Sequence, residues 1–113
     1  MNDEATSKAS QVHEIVAEYR KGLTGILGDE LDAILLFGSQ ARGDAEDASD
    51  IDILCVMKSP FDYGELIRKT SELTASVSLK HEAVISRVFV TREDYETKQT
   101  PFLMNVRAEG VLA

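Results

Sequence analysis

The segment "LFGSQARGDAEDASDIDIL" (residues 36–54) decides how this chain folds and where its chemistry lies. An apolar run ends at Gly38-Ser39, a polar loop follows, and Asp50 and Asp52 open a second apolar run. Because side chains alternate between the two faces of a strand, both aspartates are predicted to share one face. Two neighbouring carboxylates repel each other, and burying them is costly unless a cation neutralises them.

A divalent metal ion is the natural partner of this acidic pair. Oxygen ligands favour Mg²⁺ or Mn²⁺, and magnesium keeps coordination positions open that phosphate oxygens can fill. Asp50 and Asp52 therefore indicate metal-assisted phosphoryl chemistry. An isolated Asp-x-Asp is common by chance, so a solvated acidic turn at the start of a strand is the alternative interpretation.

The loop before the pair favours the metal site. Gly38 has no side chain, so the backbone there can approach a ligand closely. Ser39 offers a hydroxyl group and an N–H to a phosphate. Arg42 carries a planar cation suited to phosphate, although a surface arginine is its alternative interpretation.

Other phosphate and metal motifs do not fit this chain. Gly38 and Gly43 have the spacing of a phosphate-binding loop, but the lysine and hydroxyl residue that should follow are missing. The loop acids do not follow the spacing of a calcium loop. His13 and His81 are isolated, so no zinc cluster is predicted.

Length and composition indicate one globular domain, residues 1–113, that avoids nucleic acid and membrane. The chain has 113 residues, of which 43% are hydrophobic, with 20 acidic against 12 basic side chains and a net charge of −8. A nonspecific nucleic-acid binder would carry a basic surface, whereas this charge suits a basic protein partner or a metal. No apolar run reaches membrane-spanning length. The single Cys55 excludes an intrachain disulfide and fits a cytoplasmic location.

Periodicity predicts an α/β (α+β) fold. The predicted strands are 32–39, 50–57 and 83–91. The predicted helices are 10–27 with Ser10 as its cap, one after the cap Asp62, a short one after Thr91, and one from Thr100-Pro101 to Gly110. No helix pattern separates the first two strands, which predicts hairpin neighbours in a small mixed or antiparallel sheet with helices mainly on one face.

A few further residues have predicted positions. Cys55 and Tyr19 are expected in the core. Arg87 interrupts an apolar strand and is expected on the solvent side of the sheet, with a phosphate contact as the weaker alternative. Phe102, Leu103 and Val106 are expected to face the core from the last helix.

The stretch "GSQARGDAEDASDIDI" resembles the signature of the DNA polymerase β-like nucleotidyltransferase superfamily, in which Gly-Ser is followed after ten residues by Asp-x-Asp. The "ARG" and "SDIDI" elements are similar to those of its minimal nucleotidyltransferase (MNT) group, and the ending "PFLMNVRAEGVL" (101–112) resembles that group's C-terminal helix. The resemblance covers the whole chain in length and layout.

The resemblance implies a polymerase β-like core that transfers AMP from ATP to an acceptor hydroxyl. It implies that Asp50 and Asp52 bind two Mg²⁺ ions and that Gly38 and Ser39 hold the nucleotide triphosphate. Arg42 is a further expected nucleotide-binding residue because its cation suits phosphate. A third carboxylate is expected on a later strand. Glu82, directly before "AVISRVFV", is the best-placed acid for metal binding and catalysis, and a solvent-facing strand-start residue is the equal alternative.

Three functions stay open at this point. MNT proteins resembling this one are commonly paired with a HEPN-domain ribonuclease toxin, which implies an antitoxin that adenylylates a toxin tyrosine within a toxin–antitoxin complex. The same fold could neutralise the toxin by binding alone. It could also act on a small molecule such as an aminoglycoside, although such relatives usually carry an extra domain for the acceptor.

Overall fold

The computed structural model describes residues 4–38, residue 41 and residues 50–113, with side chains described from Gln11 onward. Its helices and strands follow one another along the chain as α1 (Glu4–Leu27), a 3₁₀ turn (Gly28–Glu30), β1 (Leu31–Phe37), β2 (Ile51–Met57), α2 (Tyr63–His81), β3 (Ile85–Thr91), α3 (Arg92–Thr97), α4 (Pro101–Glu109) and β4 (Val111–Leu112).

The strands form one mixed sheet in the order β3-β2-β1-β4. β1 pairs antiparallel with β2 and with β4, whereas β2 pairs parallel with β3 through the α2 crossover. β2 therefore lies between two partners, and its residues from Ile53 to Met57 are all buried. A strand covered on both faces should read as a continuous apolar run, which explains the sequence "ILCVM". The mixed sheet and the β1–β2 hairpin confirm the predicted fold class.

The two long helices cover one face of the sheet, called here the helix face. α1 contributes Tyr19 and Leu23, which are 1% and 0% exposed, and α2 contributes Val77. These side chains pack on alternate residues of the strands, including Ile53 and Cys55. The Tyr19 hydroxyl group shares a 2.7 Å hydrogen bond with Thr74 Oγ1, which ties α1 to α2. This face holds the larger core.

The opposite face, called here the site face, carries a smaller core beneath α4. Its buried residues are Leu35, Leu54, Val56, Leu103 and Val106. Among the described helices, the nine-residue α4 covers this side, and Tyr95 of the short α3 packs against the same cluster. Most of the helical cover therefore lies on one face, as predicted.

Side-chain caps set the helix starts as the sequence predicts. Asp62 accepts a hydrogen bond from the Glu65 N–H at 3.1 Å at the start of α2. Thr91 begins α3 in the same way. Thr100 accepts from the Leu103 N–H at 3.2 Å, with proline at the first turn of α4. Each cap satisfies an N–H group that has no partner within its helix.

Two features differ from the predictions. α1 begins at Glu4 rather than at Ser10, so Ser10 lies inside the helix and is not its cap. The polar residues before Ser10 carry no apolar periodicity, which is why the pattern placed the start too late. The two-residue strand β4 was not predicted, because Val111 and Leu112 are too short a run to show alternation.

In the parts of the chain that the structure describes, no helix is both long and apolar enough to cross a membrane.

Candidate active site

A row of three side chains crosses the site face where β2 begins. Asp52 pairs with Phe37 of β1 on one side and with Ser86 of β3 on the other. Residues of β2 and β3 two and four positions further on, such as Leu54 and Val88, belong to the core beneath α4. Because side chains alternate, Asp52 and Ser86 lie on this same face. Paired strands are about 4.8 Å apart, so Asp52 has close neighbours on both sides.

Gly38 gives Asp52 its space. A Cβ atom built on Gly38 would lie 2.5 Å from Oδ2 of Asp52, closer than such atoms ever approach. The backbone of Gly38 also has a φ of +75°, in the left-handed region that glycine occupies without strain. The sequence singled out Gly38 for a close approach to a ligand. The structure shows its close approach to a carboxylate.

The charge of Asp50 acts on the carboxyl group of Asp52. Asp50 is exposed directly before β2, and Asp52 is partly buried on the strand. Burial raises the pKa of the Asp52 carboxyl group, and the negative charge of Asp50 raises it further. A cation between or beside these groups would oppose both effects. The donor set of oxygen atoms therefore fits a hard divalent cation such as Mg²⁺.

Glu82 lies apart from the row. It is exposed and is the cap at the C-terminal end of α2, with a left-handed backbone of φ 49° and ψ 46°. Ser86, not Glu82, is the β3 residue beside Asp52. Within the described residues, no three His, Cys, Asp or Glu side chains form a group that could hold a metal ion. The structure thus brings Asp50 and Asp52 together without Glu82, and a metal-binding role for Glu82 stays a prediction.

Two of the predicted nucleotide-binding residues, Ser39 and Arg42, lie outside the described residues. Their roles stay predictions. Gly38, the described residue directly before Ser39, lies beside the Asp52 carboxylate.

A cleft opens next to this carboxylate, between the end of β1 and α4. It is lined by Phe37, Gly38, Phe102, Asn105, Val106 and Glu109. The rings of Phe37 and Phe102 meet edge to face with their centroids 5.4 Å apart. Leu103 and Val106 are buried as predicted, but Phe102 is 41% exposed. The expectation that Phe102 is a core residue is therefore wrong, because its position on the helix turns it toward the cleft.

Arg87 differs from its prediction as well. Its Nε donates a 2.8 Å hydrogen bond to Thr70 Oγ1, and its guanidinium also donates to the Ile67 carbonyl at 2.9 Å. Being next to Ser86 on β3, Arg87 faces the opposite side of the sheet from Asp52. Its charge is thus partly buried against α2, and it neither faces open solvent nor lies at the phosphate side.

Sequence comparisons place this arrangement among known proteins. The family described as "Nucleotidyltransferase domain" matches residues 14–102, which include the Gly-Ser and Asp-x-Asp elements. Two proteins of Methanocaldococcus jannaschii, each named "Putative protein adenylyltransferase", are similar. One is 35% identical over 101 residues, covering 89% of this chain and 97% of the relative. The other is 34% identical over 96 residues, covering 84% and 90%.

Solved structures with the same fold include several at lower identity. A protein described as a "putative nucleotidyltransferase" from Sulfolobus solfataricus has a TM-score of 0.58 at 22% identity, over 97% of this chain and 82% of that one. A toxin–antitoxin structure containing AMP-PNP has a TM-score of 0.58 at 21% identity, over 83% and 68%. The toxin–antitoxin pair MntA-HpeT, in a mutant form, reaches 0.57 at 18% identity, over 89% and 70%.

Proposed function

The chain belongs to the nucleotidyltransferase domain family, and we propose that it transfers AMP from ATP to a tyrosine hydroxyl group of a cognate HEPN ribonuclease toxin, acting as its antitoxin. One observation carries the proposal: Asp52 lies on the site face beside Gly38, with Asp50 close enough to perturb its carboxyl group. Two neighbouring carboxylates repel each other, and nucleotidyl transfer is a function that uses such a pair to bind metal ions.

In the proposed transfer, the tyrosine oxygen replaces pyrophosphate on the α-phosphorus of ATP. The tyrosine oxygen bonds to the α-phosphorus of ATP, the bond from that phosphorus to the bridging oxygen breaks, pyrophosphate leaves, and the hydroxyl proton is released. In the proposal Asp50 and Asp52 hold two Mg²⁺ ions, and Gly38, Ser39 and Arg42 hold the triphosphate. When bound, the ions would supply charge stabilisation for the attacking and leaving oxygens.

The chain's own residues fix the position of the Asp52 carboxylate. Asp52 is fixed by its place in a paired strand, and the absent side chain at Gly38 leaves room for the Asp52 oxygen atoms. Groups held on strands keep reacting atoms in line better than groups on loops. Burial and Asp50 both favour the protonated form of Asp52 until a cation is present, so metal binding and carboxylate ionisation are coupled.

The proposed partner rests on three observations. The two M. jannaschii relatives are named as protein adenylyltransferases, which supports a protein acceptor. Structural relatives were solved as toxin–antitoxin pairs, one of them with AMP-PNP, which supports a toxin partner and an adenine nucleotide. The net charge of −8 suits a basic partner such as an RNA-binding toxin. A cytoplasmic location belongs to the same proposal, since ATP and a reduced Cys55 fit that compartment.

The decisive experiment is intact-mass spectrometry of the HEPN partner after incubation with this protein, ATP and Mg²⁺. We expect mass gains in steps of one AMP, which disappear with Asp50→Asn/Asp52→Asn. No gain with an intact complex would favour neutralisation by binding alone. If no complex forms either, a screen of hydroxylated antibiotics such as aminoglycosides with labelled ATP tests the small-molecule alternative.

The third carboxylate has a separate test. Glu82 is the predicted ligand, and its variant Glu82→Gln is compared with Ser86→Asp, which places a carboxylate directly beside Asp52. If Glu82 is a ligand, Glu82→Gln weakens Mn²⁺ binding measured by electron paramagnetic resonance in the presence of nucleotide. If Ser86 marks the empty position of the third acid, Glu82→Gln changes nothing and Ser86→Asp tightens Mn²⁺ binding.

A further inference from the structure

One wall of the cleft between Gly38 and α4 is a stripe of regularly spaced residues on α4. Four of its lining residues, Phe102, Asn105, Val106 and Glu109, follow the spacing i, i+3, i+4 and i+7 along α4. Residues at this spacing form one stripe along a helix. A stripe that faced only the core would be apolar throughout. This one joins an aromatic ring to an amide and a carboxylate, which is the composition of a ligand site rather than of a core.

The cleft adjoins the carboxylate of Asp52. Phe37 and Gly38 both line the cleft. Phe37 is the strand partner of Asp52, and Gly38 is the residue whose missing side chain makes room for Asp52 Oδ2. A ligand in the cleft would therefore contact Gly38, which the proposed function also places beside the triphosphate. A nucleotide has this shape, with phosphates at one end and a base at the other.

The exposed groups of the cleft have the chemistry that recognises adenine. Phe102 is 41% exposed although its ring also contacts Phe37, so part of its surface is available for stacking. Aromatic side chains stack on any base, and an asparagine amide pairs well with adenine by accepting from N6 and donating to a ring nitrogen. Asn105 is exposed one helical turn from Phe102, beside the same cleft.

We propose that the cleft between Gly38 and α4 binds the adenine base of ATP, with Phe102 against the face of the base and the Asn105 amide at its edge. The proposal rests on the proposed function, because it extends the same nucleotide away from the Asp50–Asp52 pair. It assigns α4, which otherwise only covers part of the sheet, a role in nucleotide selection.

The test is isothermal titration calorimetry of the full chain with ATP, GTP and inorganic tripolyphosphate, in Mg²⁺ and without acceptor protein. Phe102→Ala should weaken ATP and GTP binding about tenfold while leaving tripolyphosphate affinity unchanged. Asn105→Leu, similar in size but without the amide, should lower the ratio of ATP to GTP affinity about tenfold. Met104→Ala is the matched control: Met104 is a 48% exposed apolar residue on α4 that does not line the cleft.

Each result has one meaning. Equal affinity of the wild type for ATP and tripolyphosphate overturns the base site but leaves the proposed function standing. A loss of tripolyphosphate binding in Phe102→Ala equal to the loss of ATP binding also overturns it, since the change would then be structural. Unchanged ATP affinity in Phe102→Ala also overturns the base site. If the wild type binds neither ATP nor tripolyphosphate, the proposed function and the base site both fail.

Discussion

The two faces of the sheet are built for different purposes. The helix face is covered by α1 and α2, and its central residues Leu23 and Ile53 are completely buried. The site face is covered mainly by α4 and carries a half-buried carboxylate, an exposed aromatic ring and an open cleft. Both faces share the same strands, so β2 sends Ile53 and Cys55 to the core of the helix face, and Asp52, followed by the buried Leu54 and Val56, to the site face.

The helix face provides most of the stability of the fold, whereas the site face carries the groups proposed for activity. Burial of apolar surface stabilises the fold, and the helix face supplies most of it. The site face keeps groups that oppose folding, namely two repelling carboxylates with Asp52 partly desolvated. Changes on the helix face should therefore alter stability, and changes on the site face should alter activity.

The largest expected effect is on the site face. Under the proposed function Asp52 is a metal ligand, so Asp52→Asn should lower the rate of AMP transfer by at least about a thousandfold, since such a ligand supplies several kcal/mol of transition-state stabilisation. The free energy of unfolding should stay the same or rise, since a repelling charge is removed. Transfer rates and urea unfolding measure the two quantities. Asp29→Asn, an exposed aspartate on the 3₁₀ turn, is the control; comparable loss in both variants would contradict the comparison.

The next effect is on the helix face. Leu23→Ala should reduce the free energy of unfolding by about 2–5 kcal/mol, because it leaves a cavity at a residue that is 0% exposed. The transfer rate per folded molecule should stay unchanged. Urea unfolding and a transfer assay at low temperature, where the variant is folded, measure both. A rate loss in fully folded Leu23→Ala would show that the two faces are not separable.

A smaller effect concerns Gly38, where a substitution should change both the stability and the transfer rate. Gly38→Ala and Gly28→Ala both place a side chain at positive φ, +75° and +59°, and each should destabilise by about 1–2 kcal/mol. Only at Gly38 does the new Cβ meet Asp52 Oδ2, whereas nothing lies within 4 Å at Gly28. Gly38→Ala alone should then lose about a hundredfold in transfer rate through displacement of Asp52. Equal rates in the two variants would remove Gly38 from the site.

The smallest effect concerns Cys55 on the helix face. Burial raises the pKa of the Cys55 thiol from 9.0 to about 12. The thiol ionises more easily in the unfolded chain, so its contribution to stability is complete below pH 9.0 and is lost as the pH rises toward 12. The free energy of unfolding should fall by about 1 kcal/mol between pH 9 and pH 10, where the unfolded thiol becomes ionised. The free energy of unfolding, measured with urea, should fall more steeply between pH 9 and pH 10 in the wild type than in Cys55→Ala. Parallel slopes in the two proteins would disprove the burial effect.

The sequence predicts the local features of this fold well. The caps Asp62, Thr91 and Thr100 are signals contained within a few residues, and each begins its helix as predicted. The β1–β2 pairing also follows locally, because no helix pattern separates the two runs. Features that depend on distant partners were harder to predict. β4 exists only because β1 offers it an edge to pair with.

The site shows the same division. The Asp50–Asp52 pair is visible as a pattern, and so is the glycine at Gly38. The neighbour of Asp52 on β3 depends on strand register, which the sequence alone does not give, so Ser86 could not be named from the sequence; the metal-binding role of Glu82 stays a prediction. Arg87 and Phe102 were assigned to the wrong surroundings for a related reason: the side of a strand or helix that meets solvent depends on how the other elements cover it.

The parallel pairing of β2 with β3 has a consequence for how the enzyme comes into being. β1 and β2 are antiparallel neighbours, but β3 reaches β2 only after α2 has crossed the sheet. Contacts between residues far apart in sequence close late, because a longer loop must be ordered before they form. The row from Phe37 through Asp52 to Ser86 spans both pairings. On a growing chain, this row is therefore complete only after β3 has emerged from the ribosome and paired with β2.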